Sequence, residues 1–163
     1  MPTFNQERVL NRLETLVNIP SPSGFTDEIM QWVEEEFNNI GLSTERTHKG
    51  AVIAKIEGAD SSQARLLTAH VDTLGAMVKE IKPNGRLKLS KIGGFNWNAV
   101  EGEYCQIHPF KAKPLTGTIL MHETSVHVYK GCGELPRDDE HMEVRIDAKT
   151  QSKEETEKLG IQV

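Results

Sequence analysis

The sequence predicts an α/β fold that turns β-rich in its second half. Three observations carry this: two stretches with apolar residues at helical spacing near the start, two short β-branched apolar runs after them, and a series of strand and turn signals beyond Asp72. At 163 residues the chain is one ordinary domain or two small ones.

The elements follow in order. Val9, Leu10, Leu13, Leu16 and Val17 share one helical face, which predicts a helix over about residues 4–18. Ile19-Pro20-Ser21-Pro22-Ser23-Gly24 breaks it, because each proline pushes its predecessor out of the α region. Thr26 can then cap a second helix, with Asp27 and Glu28 in the first turn, where the helix dipole favours negative charge. Ile29, Met30, Val33, Phe37 and Ile40 form its expected buried face and Gly41 its stop, while Glu34-Glu35-Glu36 reads as a solvated face. Ala51–Ile56 and Leu66–Val71 are short and β-branched, and both are expected as largely buried strands.

Past Asp72 the pattern changes. Met77–Ile81 and Arg86–Ser90 flank Lys82-Pro83-Asn84-Gly85, a hairpin signal. Further strands are expected near Glu103–Ile107, Gly117–Met121, Ser125–Tyr129 and Met142–Asp147. A boundary near residue 73 therefore separates an α/β part, residues 1–72, from a β-rich part, residues 73–163. Ser152 and Glu155 have capping-box spacing, so a short helix should run to Leu159 and stop at Gly160. Ile161-Gln162-Val163 looks like the beginning of another strand.

Composition excludes several functions. Lys and Arg number 19 against 24 Asp and Glu, a net charge of −5, and there is no long basic run, so nucleic acid is not an expected partner. Mean hydropathy is −0.47 and no stretch approaches the ~18 apolar residues of a membrane-spanning helix, so no membrane partner is expected. The first residues lack the basic and apolar regions of a signal peptide, which gives the expectation of a cytoplasmic chain. Cys105 and Cys132 are too few for a disulfide framework and are expected as free buried thiols.

The best candidate for chemistry is Thr68-Ala69-His70-Val71-Asp72-Thr73-Leu74-Gly75. In a strand, residues i and i+2 point to one face, so His70 and Asp72 should project together from its carboxyl end, where open α/β sheets place their sites. Imidazole is a common metal ligand, and a neighbouring carboxylate orients it and raises its basicity. The alternative is a histidine hydrogen-bonded for structure alone. One His and one Asp do not complete a zinc site, which takes three or four protein ligands. The other histidines do not obviously help: His122 and His127 would face opposite ways on one strand, His141 sits in a charged loop, and His48 precedes a turn. Neither a nucleophile elbow nor a phosphate loop is present.

These residues resemble the M42 family of metallo-aminopeptidases. The resemblance is carried by Ile19-Pro20-Ser21-Pro22-Ser23-Gly24 before an acidic helix start, Lys49-Gly50 before a strand, and the run Thr68 to Val78. Gly93-Gly94, Gly117-Thr118-Ile119, Ile146-Asp147 and Ser152-Lys153-Glu154-Glu155 follow in the family's order. The resemblance implies a partial zinc-peptidase-like catalytic α/β domain, residues 1–72, followed by an inserted β-barrel or PDZ-like dimerisation domain, residues 73–163, truncated at its end. It further implies peptide substrates, homo-oligomers formed through the β insert, and two divalent metal ions, zinc or cobalt. His70 would then be a metal ligand and Asp72 the catalytic-site carboxylate that orients it.

In such families the general base and the remaining metal ligands lie downstream of the insert. The 163 residues alone are therefore expected to bind metal weakly at most and to be inactive, with apolar surface left uncovered. Two other readings stand beside this one. One is a non-catalytic self-association module. The other is a different zinc peptidase of the same clan, or a carbohydrate hydrolase, for which no suitably spaced carboxylate pair can be argued.

Overall fold

The structure, a computed structural model, describes residues 4–60 and 62–163. It divides into two compact units, one ending at Gly75 and one starting at Ala76.

The first unit opens with helix α1, Gln6–Asn18, capped by Asn5, whose Oδ1 accepts the Arg8 N–H at 2.9 Å. The predicted apolar stripe forms, but Val9, Leu10, Leu13 and Val17 are about half exposed or more. Helix α2, Asp27–Asn39, places Asp27 and Glu28 in its first turn as expected. Thr26 occupies the cap position, yet its side chain makes no capping hydrogen bond. Ile29 is completely buried, whereas Ile40, expected on the buried face, is half exposed. The helix ends at the expected glycine: Gly41 N–H donates to Asn38 O and Leu42 N–H to Phe37 O. The acidic run of α2 is not a simple solvated face. Glu34 holds Arg46 through two hydrogen bonds, Glu36 pairs with Arg12, and Glu35 accepts from Gln31.

Strands β1, Thr44–Arg46, and β2, Val52–Ala54, pair antiparallel, with Glu45 opposite Ile53. The expected strand at Ala51–Ile56 therefore shrinks to Val52–Ala54 and is not buried. The expected buried strand at Leu66–Val71 is not formed, and Leu66 and Leu67 are almost fully exposed. The physical reason is partnership. A buried strand needs ladder neighbours and covering faces, and among the described residues nothing pairs with this segment before Val71.

The second unit is built on five strands: β3 (Gly75–Ile81), β4 (Leu87–Ile92), β5 (Tyr104–Ile107), β6 (Leu115–Met121) and β7 (Met142–Ile146). Their order in the sheet is β3-β4-β7-β6-β5. Leu87 faces Val144, which faces Ile119, so one row of apolar residues crosses three strands. Ile81, Leu87, Leu89, Trp97, Ile107, Met121, Met142, Val144, Ile146 and Ile161 make one core. Gly117 lies inside it because a Cβ there would come within 2.7 Å of Val144. Trp97 buries its ring and satisfies its indole N–H on Asp139 at 2.8 Å.

The hairpin predicted at Lys82–Gly85 is present. Lys82 N–H donates to Arg86 O, Gly85 N–H to Lys82 O, and Gly85 adopts φ +82°. Helix α3, Lys153–Lys158, sits against that turn through buried Thr156, whose hydroxyl donates to Gly85 O at 2.8 Å. Its capping residue is Ser152, which accepts the Glu155 N–H. Glu155 reaches back to the Gln151 N–H, one residue earlier than an ideal box. Cys105 is partly buried and Cys132 buried, both as free thiols, and burial pushes the Cys105 thiol up to about 11.

Two strand expectations fail here. Ser125–Tyr129 is a turn, because Ser125 O accepts from both Val128 and Tyr129 and spends these backbone groups locally. Ile161–Val163 is not a strand: Ile161 buries its side chain in the core while no ladder partner among the described residues meets the segment.

Candidate metal centre at His70 and Asp72

Ser21, in the predicted chain break, is fully buried and ties that break to the segment bearing His70 and Asp72. Its hydroxyl donates to Val71 O at 2.9 Å, its carbonyl accepts the Thr73 N–H at 3.0 Å, and its own N–H reaches the Thr73 hydroxyl at 3.2 Å. Pro22 closes the contact from the side: a Cβ on Gly75 would lie 2.7 Å from it. Residues 71–74 are held by this clamp and lie outside any strand.

On the clamped segment the His70 Nδ1 lies 2.9 Å from Asp72 Oδ1. Ser23 donates its hydroxyl to the other oxygen, Oδ2, at 3.3 Å. The hydrogen bond from His70 is the main cause that holds the Asp72 carboxyl below its ordinary value, with Ser23 adding a smaller push. An ionised carboxylate can only accept, so the imidazole proton is placed on Nδ1. The neutral ring then presents the lone pair of Nε2 outward. The His70 side chain is 86% exposed, so that nitrogen is open to an incoming ion. Metal-ligating histidines commonly donate their second ring N–H to a carboxylate in this way.

The i, i+2 pairing read from the sequence is thus realised, although on an extended clamped segment and not on a buried strand. The roles of Ser21, Ser23 and Thr73 are not foreseen by that reading. The signal available for them was two serines within a proline-punctuated break, which by itself says only that the chain turns.

The other histidines do not join. His48 is exposed in the turn closed by Gly50 N–H on Thr47 O. His127 lies in the Ser125–Tyr129 turn, so it does not share a strand with His122. His141 is not simply solvated: its ring stacks on His122 with centroids 5.4 Å apart, and its Nδ1 lies 2.6 Å from Asp138. His122 Nδ1 donates to His141 O at 3.0 Å. Among the described residues no three His, Cys, Asp or Glu side chains are grouped to hold a metal ion.

Known proteins are similar to this chain, some in sequence and others in fold. The profile of the M42 glutamyl aminopeptidase family matches residues 50–163. YhfE, an inferred aminopeptidase of Bacillus subtilis (strain 168), is 52% identical over 156 residues, which cover 96% of this chain and 45% of YhfE. Among solved structures, the aminopeptidase APDkam598 from the archaeon Desulfurococcus kamchatkensis matches with a TM-score of 0.82 at 22% identity, over 96% of this chain and 41% of that one. The TET1 peptidase of Pyrococcus horikoshii, which can assemble into a tetrahedron or a large octahedral shell, matches with a TM-score of 0.74 at 23% identity, over 92% and 43%. The chain spans less than half the length of each of these relatives. The profile match covers most of the sequence, and with it the chain belongs to the M42 glutamyl aminopeptidase family.

Proposed function

We propose that this chain is the N-terminal portion of a co-catalytic metal-dependent aminopeptidase that hydrolyses N-terminal residues from peptides. In this reading residues 1–72 begin the catalytic α/β domain. Residues 73–163 form most of an inserted β-barrel or PDZ-like domain through which copies of the chain associate. The shell-forming P. horikoshii relative supports association as part of the reading.

The observation that carries the proposal is the His70 ring, anchored on Nδ1 by Asp72 and open at Nε2. It fits one position of a site for two divalent ions, zinc or cobalt. When bound, such ions supply Lewis-acid polarisation of the scissile carbonyl. His70 contributes a ligand nitrogen. Asp72 fixes the ring's rotation and tautomer and raises its basicity, while Ser23 and Ser21 hold Asp72 and its backbone in place. The fit is partial, since the described residues bring no second and third ligand to the same point. The 163 residues by themselves are therefore proposed to be inactive.

The test compares two polypeptides. The 163-residue chain is expected to release no N-terminal residue from a peptide in zinc or cobalt. The same chain continued in frame to the length of its relatives is expected to do so. In the longer chain D72N should lower kcat/KM by about 10–100-fold, and H70A should lower it further. Metal-dependent turnover by the 163 residues, or full activity of H70A in the longer chain, would refute the assignment.

A second reading, a non-catalytic self-association module, draws on the P. horikoshii relative, which can assemble into a tetrahedron or a large octahedral shell. Sedimentation with metal analysis separates the two: a metal-free dimer supports the module, and stoichiometric metal lost in H70A supports the site.

A further inference from the structure

We infer that the second unit carries a binding site for a compact oxyanion, a phosphate or a carboxylate, between the Lys82–Gly85 turn and the end of β7. A cleft of about 300 Å³ opens there, lined by Asn84, Arg86, Arg145, Thr150 and Gln151 with the backbone at Gly85 and Ile146. No Asp or Glu lines it.

The charges around it are unbalanced. Glu143, buried beneath the turn, is shared by Lys82 at 2.6 Å and by Arg86. Arg145 has no hydrogen bond or ion pair from its side chain among the described residues. One carboxylate thus serves two of the three cations, and Arg145 is left without a counter-charge among the described residues. Arg86, the residue before β4, and Arg145 of β7 both line the cleft. Like charges gathered at one cleft repel each other, and an anion between them reverses that sign.

The rest of the lining suits the same ligand. Asn84 spends its Oδ1 on the Arg86 N–H, which leaves its amide NH₂ as the free end. The Thr150 hydroxyl and the Gln151 side-chain amide have no hydrogen-bond partner among the described residues. Glu155 accepts the Gln151 backbone N–H and, like Asp147 and Glu154, stays out of the lining. A guanidinium fork with neutral donors around it recognises the planar or tetrahedral oxygens of a carboxylate or phosphate. This site lies on the second unit and does not depend on His70.

The test follows the Arg145 side-chain Nε–H resonance of the 163-residue chain on titration with inorganic phosphate, acetate and chloride at constant ionic strength. A saturable shift with phosphate or acetate, absent with chloride, is expected, and the stronger of the two identifies the class of oxyanion. R145Q, followed through the Gln151 side-chain amide, should weaken binding at least tenfold. R145K, which keeps the charge and loses the fork, should recover only part of it. Circular dichroism confirms that each variant keeps its sheet. An equal response to chloride, or phosphate and acetate affinities unchanged in R145Q, would overturn the site.

Discussion

At the residue scale the decisive pair is His70 and Asp72. The depressed Asp72 carboxyl owes most to the hydrogen bond from His70, so its titration reports that contact directly. A carboxylate with a lowered folded pKa adds stability above its ordinary value of 3.8, and that contribution is lost as the pH falls through the lower folded value. Following the Asp72 side-chain carbon by NMR, wild type is expected to titrate below 3.8 and H70A to move back up toward it. S23A should move it the same way but less, because Ser23 makes the longer contact at 3.3 Å. Titration of wild-type Asp72 at the ordinary value would mean that the pair is not formed in solution. This pair was legible in the sequence because two residues apart on extended backbone suffices to place both side chains on one face. The serine clamp behind it was not. Ser21 and Thr73 are separated by 52 positions in the sequence, and no local pattern encodes which distant backbone group a hydroxyl will meet.

At the scale of elements, the contact of α3 with the β3–β4 turn shows how two local signals become one structure. The turn needs a residue at positive φ, which glycine supplies at position 85. The same missing Cβ admits Thr156: a Cβ on residue 85 would lie 2.9 Å from its hydroxyl and 3.0 Å from Ser152 O. Two penalties therefore meet in G85A, an L-residue in the left-handed region, about 1–2 kcal/mol, and the collision with α3. T156V removes one buried hydrogen bond and leaves Gly85 O unpaired, at a cost of about 1–3 kcal/mol. In urea unfolding the double variant G85A/T156A should lose less than the sum of G85A and T156A, since Thr156 supplies the atom nearest the new methyl. Strict additivity would show that the helix does not seat on the turn. Both elements were readable in the sequence from Asn84-Gly85 and from Ser152 with Glu155. Their contact was not, because the two lie on separate stretches of chain. The failed strands mark the same limit from the other side. Val126 and Val128 have the residue type of a strand, but Ser125 O takes the nearby N–H groups first. Leu66 and Leu67 carry a buried-strand composition with nothing among the described residues to bury them.

At the scale of the molecule, apolar burial is distributed unequally. The second unit closes a core of ten buried apolar side chains. In the first unit Ile29 alone among the described apolar side chains is fully withdrawn from water, while the α1 stripe and Leu66–Leu67 face outward. Burial of a large apolar side chain contributes roughly 1.5–3 kcal/mol, so the two units should differ widely in resistance to opening. Residues 55–60 and 62–70 combine exposed side chains with backbone outside any ladder, the condition under which a protease gains access. Brief digestion at low protease concentration, read by mass spectrometry, is therefore expected to cut first between residues 55 and 70. A fragment that begins near Ala76 and retains β3 to α3 should persist. The exposed α1 stripe gives a second readout of the same imbalance, because apolar patches of this kind associate. Sedimentation velocity should show concentration-dependent growth in size, reduced in L10E/L13E, where two positions at helical spacing become charged. Initial cleavage inside β4 to β7, or association unaffected by these charges, would show that the first unit is covered in solution and that the distribution of apolar contacts is not the one described.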